Sequence, residues 1–206
     1  MPPPITTLFV DVGGVLLTRS WDRIARRKAA EHFALDYEAL NHRHHLVCSL
    51  YEEGQLILDE YLQKTVFYED RPFSQEAFRD FMFARSEAHP DMIELVRNLK
   101  ARYGLKVAAI SNDGWELALR RIKNFALTTF VDHFIFSCFV RCRKPDPTIY
   151  QMALDIAQVP PEAVVYVEDQ PMCVETARSL GIRSVQHLGC KFTRETLAAW
   201  GLSLEG

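Results

Sequence analysis

Apolar residues follow two rhythms along the chain. Short, apolar-rich runs occupy residues 5–10, 106–110, 133–137 and 163–167, and a more polar stretch over 183–188 reads as a final strand. Turn-forming or charged residues bound them, which predicts short strands buried on both faces. Between these runs the apolar positions recur at helical spacing. Met92, Leu95, Val96, Leu99 and Tyr103 share one face, and Gly104 stands where that helix would stop. Further helices are predicted over residues 115–125, 146–157, 171–181 and 193–200. Ile149, Met152, Ala153 and Ile156 mark the inner face of the second of these. Residues 21–85 differ: they are rich in Glu, Arg, His, Leu and aromatics, with Gly54 and Pro72 as the strong helix breakers. They read as a run of helices.

Strands alternating with helices predict an α/β fold, a Rossmann-like parallel sheet wound with right-handed crossovers. The helical run after the first strand is too long for a crossover. It reads as an inserted α-helical cap over residues 18–88, with residues 1–17 and 89–206 forming the α/β core. The 206 residues are 48% hydrophobic, enough for a substantial core. A net charge of -3, with both signs represented, gives no pull toward nucleic acid or anionic membrane. No apolar run approaches membrane-spanning length. The N-terminal MPPPITTLFV lacks the pattern of a secretory signal. Five cysteines at irregular spacing fit no zinc ribbon or CxxC pair. These features predict a cytoplasmic protein with reduced thiols, either a monomer or a homodimer.

Ligands of open α/β sheets bind beyond the carboxyl ends of the strands. There the sequence places Asp11, Ser111-Asn112, Arg143-Lys144 and Glu168-Asp169. Carboxylates with few nitrogen or sulfur ligands suit a hard cation such as Mg²⁺. A lysine, a hydroxyl and free backbone N–H groups suit a phosphate.

With these residues in this order, the sequence resembles the haloacid dehalogenase-like hydrolases. The resemblance rests on Asp11 in FVDVGGVLL, Ser111 in AAISND, Lys144 in RKPDPTIY and Glu168-Asp169 in VVYVEDQPMCVETARSLGI. It implies that Asp11 attacks phosphorus and forms an aspartyl-phosphate. Ser111 and Lys144 would hold the phosphoryl oxygens, with Gly14 and Asn112 beside them. Asp11, Glu168, Asp169 and the Gly13 carbonyl would hold Mg²⁺. The implied substrate is a small phosphorylated metabolite, such as a sugar phosphate. The cap would close over it.

One position departs from the family's phosphatases, which carry a second aspartate two residues after the nucleophile. Here that residue is Gly13. The missing carboxyl removes a proton-transfer contribution of roughly 10²–10⁴-fold in rate unless another group supplies it. Two rival readings follow: a metal-independent 2-haloacid dehalogenase, and a non-catalytic module that binds a phosphate ligand. The acidic pair at 168–169 favours Mg²⁺ over the dehalogenase.

Other clusters read as structural. His42, His44 and His45 do not share one helix face, so an exposed cap helix is expected, with substrate contact as the lesser alternative. Arg19, Arg23, Arg26, Arg27 and Lys28 read as a solvated helix face. Phe67, Phe73, Phe78, Phe81 and Phe83 are expected in a core, and Cys142 as a structural thiol. Glu53-Gly54 is expected at the rim of a substrate pocket.

Overall fold

The computed structural model describes residues 4–204. Residues 1–3 and 205–206, which the predicted core includes, lie outside the described residues. Five strands form one parallel sheet: β1 (Thr7–Val10), β2 (Lys106–Ser111), β3 (His133–Phe136), β4 (Val164–Glu168) and β5 (Arg183–Gln186). Their order is β3-β2-β1-β4-β5, so the N-terminal strand is central. Thr7 lies opposite Lys106 on one side and Val164 on the other.

Alternate residues of each strand point to opposite faces, and both faces are apolar. Leu8, Val10, Val107, Ala109, Val165 and Val167 pack under α5 (Pro90–Tyr103) and α10 (Cys190–Ala199) through Met92, Leu95, Leu99 and Leu197. Phe9, Ala108, Ile110 and Tyr166 pack under α8 (Pro147–Ala157) and α9 (Pro171–Ser179) through Ile149, Ala153 and Ala177. α5 stops where Gly104 predicts, and α8 is capped at its start. Gly104 is left-handed at φ +64° and caps α5, while Asp146 accepts from Thr148 N–H at the start of α8.

Residues 21–85 supply four helices: α1 (Arg23–His32), α2 (Tyr37–Glu52), α3 (Leu58–Thr65) and α4 (Gln75–Phe83). They share an apolar cluster that includes Ala29, Leu40, Tyr61, Leu62, Phe78 and Met82. All five phenylalanines expected in a core are in or against it. The chain enters and leaves this helical unit through two paired segments. Thr18 N–H donates to Glu87 O at 2.8 Å, and His89 N–H donates to Leu16 O at 2.9 Å.

β3 ends one residue earlier than the pattern predicts. Ser137 leaves the ladder to begin a short helix, α7 (Ser137–Val140), and its hydroxyl accepts Asp113 N–H at 3.1 Å. The sixth helix of the chain, α6 (Trp115–Asn124), follows β2. No described helix is long and apolar enough to cross a membrane. All five cysteines are free.

Candidate active site

Parallel strands deliver the predicted residues to one sheet edge. Asp11, Gly13, Ser111, Asn112, Lys144 and Asp169 line a single cavity of about 240 Å³. Lys144 is its buried centre. The Nζ lies 2.8 Å from Asp11 Oδ1 and 2.6 Å from Glu168 Oε2, with Tyr166 OH at 3.3 Å. Burial alone would favour neutral lysine, but Asp11 and Glu168 outweigh it and raise its pKa. Burial and the Glu168 charge push Asp11 up to about 7, against the pull of Lys144.

Asn112 departs from its expected role. Its amide oxygen accepts Lys144 N–H and its amide nitrogen donates to Lys144 O, both at 2.8 Å. The side chain therefore fixes the lysine loop, and one of its two amide hydrogens is spent there while the residue still lines the cavity. Gly14 also needs correction. Its N–H is spent on Leu17 O at 2.6 Å, and it does not line this cavity. What needs a glycine there is Asp169. A Cβ on Gly14 would lie 2.0 Å from Asp169 Oδ2, and the residue has φ +96°. The missing side chain makes room for a carboxylate.

Asp11, Glu168 and Asp169 present oxygens within 4.8 Å of one another. Glu168 is fully buried: Oε2 meets Lys144 and the Tyr166 hydroxyl, and Oε1 accepts Gln170 N–H at 2.9 Å. Asp169 receives Arg19 on Oδ2, with Nε at 2.6 Å, while its buried Oδ1 has no partner. Burial and the neighbouring Glu168 raise Asp169 to about 6. Three converging carboxylates, one with an orphaned oxygen, fit a hard divalent cation.

Several lining residues escape the sequence reading. Asp113 forms a buried pair with Arg121, whose Nη1 lies 2.9 and 2.8 Å from its two oxygens. Arg121 Nη2 donates to Thr18 O at 2.8 Å and lies 3.5 Å from where a Cβ on Gly13 would stand. A guanidinium thus borders the space of the missing acid. Ser111 Oγ donates to Asp113 Oδ2 at 3.1 Å.

The opposite wall comes from the helical unit, with Trp21, Asp22, His44, Cys48, Tyr51 and Glu52. His44, Cys48 and Glu52 recur every four residues along α2 and so share a face. His44 is buried, contrary to the expected exposed helix, whereas His42 and His45 are exposed. Trp21 Nε1 donates to Tyr61 OH at 2.8 Å, and Tyr61 OH lies 2.8 Å from His44 Nδ1. Tyr61 OH thus bridges Trp21 and His44. Burial lowers the His44 pKa to about 3, so the ring is neutral. The basic run is also not uniformly solvated: Arg26 is buried and donates to Trp21 O and Asn41 Oδ1. Burial raises the Cys142 thiol, in keeping with an inert residue.

The family described as "haloacid dehalogenase-like hydrolase" matches residues 5–181. A phosphorylated carbohydrates phosphatase of Thermotoga maritima is 31% identical over 181 residues, covering 86% of this chain and 82% of the relative. An (S)-2-haloacid dehalogenase 4A of Burkholderia cepacia is 26% identical, covering 82% and 64%. A HAD family enzyme of Bacteroides thetaiotaomicron, solved with magnesium and inorganic phosphate, superimposes with TM-score 0.74. It is 18% identical, with 88% of this chain and 93% of that one covered.

Proposed function

Because the chain belongs to the haloacid dehalogenase-like hydrolases, we propose that it is a Mg²⁺-dependent phosphomonoesterase acting on a small phosphorylated metabolite such as a sugar phosphate. The observation that carries this reading is the buried Asp11–Lys144–Glu168 cluster with Asp169 beside it. Asp11 is the nucleophile toward phosphorus. Lys144, shared between Asp11 and Glu168, holds the approaching phosphoryl oxygens and offsets their repulsion from the carboxylate. The Ser111 hydroxyl donates to a second phosphoryl oxygen once it swings from Asp113. Asn112 keeps Lys144 in position. Asp11, Asp169, Glu168 and the Gly13 carbonyl would hold Mg²⁺, and the bound cation would neutralise charge on the transferring group.

The helical unit, residues 18–88, acts as a cap whose paired neck lets it close over the cavity. Its wall suits a hydroxylated leaving group. The Tyr51 hydroxyl is buried without a partner, and the His44 ring lines the same wall. The phosphatase name of the Thermotoga relative, covering most of both chains, supports a carbohydrate ester.

The test is hydrolysis of p-nitrophenyl phosphate and of a sugar phosphate panel, with Mg²⁺ and with EDTA, beside Asp11→Asn. Turnover is expected with Mg²⁺, and loss of essentially all of it in EDTA and in the variant. Halide release from 2-haloacids that survives EDTA, with no phosphate release, would move the protein to the dehalogenases.

A further inference from the structure

The family's usual proton donor is absent, and Arg121 borders the space it would fill. A phosphatase acting on sugar esters still has to protonate an alkoxide-like oxygen. We propose that Glu52, at the C-terminal end of α2, gives that proton and later takes one from the attacking water; this rests on the phosphatase reading above.

Three observations carry the assignment. Glu52 lines the same cavity as Asp11 but belongs to the wall contributed by the helical unit, where a leaving group would sit beyond the phosphoryl site. Its carboxylate is anchored by Arg143 Nη2 at 2.6 Å, next in sequence to the phosphate-binding Lys144. This contact ties the helix that carries Glu52 to the loop that carries Lys144. Beside it Tyr51 presents an unpartnered buried hydroxyl, a group that calls for a polar ligand.

The other acidic and basic groups of the cavity are committed elsewhere. Asp113 is an acceptor for Arg121 and Ser111. Asp22 caps α1 through Ala25 N–H at 2.8 Å. His44 is neutral at physiological pH. The charged and titratable groups around Glu52 are Arg143 and Arg26, which favour its ionised form, and Asp113, which opposes it. Cys48 lies on its own helix and Tyr61 on α3. Burial dominates and holds Glu52 at about 7, so both protonation states are accessible near neutral pH.

The step balances. An Asp11 oxygen bonds to phosphorus as the ester P–O bond breaks. Its electron pair goes to the leaving oxygen, which takes the Glu52 proton and departs as an alcohol. In the second half a water oxygen bonds to phosphorus, its proton passes to the Glu52 carboxylate, and the Asp11–P bond breaks. Phosphate is released and Glu52 is protonated again.

A group that protonates the leaving oxygen matters most when that oxygen is a poor leaving group. Wild type, Glu52→Gln and Glu52→Asp are assayed with Mg²⁺ on p-nitrophenyl phosphate and on a hexose 6-phosphate. Glu52→Gln is expected to lose roughly 10²–10⁴-fold on the hexose ester in kcat/KM, which reports the steps up to leaving-group departure and not the dephosphorylation common to both esters. On the aryl ester it should lose less than about tenfold, because nitrophenolate departs without a proton. The fall in hexose-ester activity above neutral pH should vanish with it. Glu52→Asp keeps a carboxyl, so it should show the same selectivity with a smaller loss, and it carries the test should Glu52→Gln not fold. Equal loss on both esters, the signature of a merely structural role, overturns the proposal, as does no loss on the hexose ester. Wild-type protein that hydrolyses neither ester overturns the phosphatase reading and this proposal with it.

Discussion

A methyl group at Gly14 would collide with Asp169 Oδ2 and would demand a left-handed backbone from an L-residue. Gly14→Ala is therefore expected to push Asp169 off its place and weaken Mg²⁺ binding about tenfold or more, read by titration calorimetry. Binding unchanged from wild type would remove Asp169 from the ligand set. At this scale the sequence was readable where chemistry sits at a strand's carboxyl end. Asp11, Lys144 and Asp169 each follow or flank an apolar run, and each lines the cavity. It misled where a residue's value lies in a distant partner. Gly14 serves Asp169 across more than 150 positions, and Asn112 serves the Lys144 backbone. Neither relation leaves a local trace.

Elements were legible in type more than in their interior faces. The strands and the α5 and α8 boundaries follow from apolar runs and caps. His44 was expected to be exposed because polar residues on a helix mostly face water. Here His44, Cys48 and Glu52 face a cavity that only a second structural unit encloses. Arg121 was hidden for the same reason: α6 turns a cation inward to meet Asp113 and the Thr18 carbonyl. Arg121→Met would leave a buried carboxylate without its counter-ion, at a cost of about 3–5 kcal/mol. That corresponds to a thermal midpoint lower by roughly 10 °C for a chain this long. Calorimetry of the variant checks it, and an unchanged midpoint would show that the pair does not hold the element in place.

For the whole molecule, His44 couples pH to folding. It titrates near 6.5 when unfolded and near 3 when folded, so the unfolded chain binds the extra proton between these values. Its contribution to stability is complete above 6.5 and is lost as pH falls toward 3. Glu52 acts in the opposite sense, favouring the folded state as pH falls from about 7 toward 4.5. A comparison of variants therefore isolates the histidine. His44→Gln is expected to lose less stability than wild type between pH 7 and pH 4.5 in urea unfolding. An identical loss in both would relieve His44 of that role.

The position of β1 at the centre of the sheet sets an order of events during synthesis. Its four residues leave the ribosome well before their partners, since Thr7 pairs with Lys106 and Val164. At about 5–20 residues per second, roughly ten to thirty seconds pass before β4 emerges. In that interval α1–α4 can consolidate from contacts close in sequence, whereas β1 waits as a bare apolar segment. The nascent chain thus carries an apolar strand unpaired for longer than any other strand of the sheet. The strand that leads to Asp11, the proposed nucleophile, is the one that waits longest for its partners.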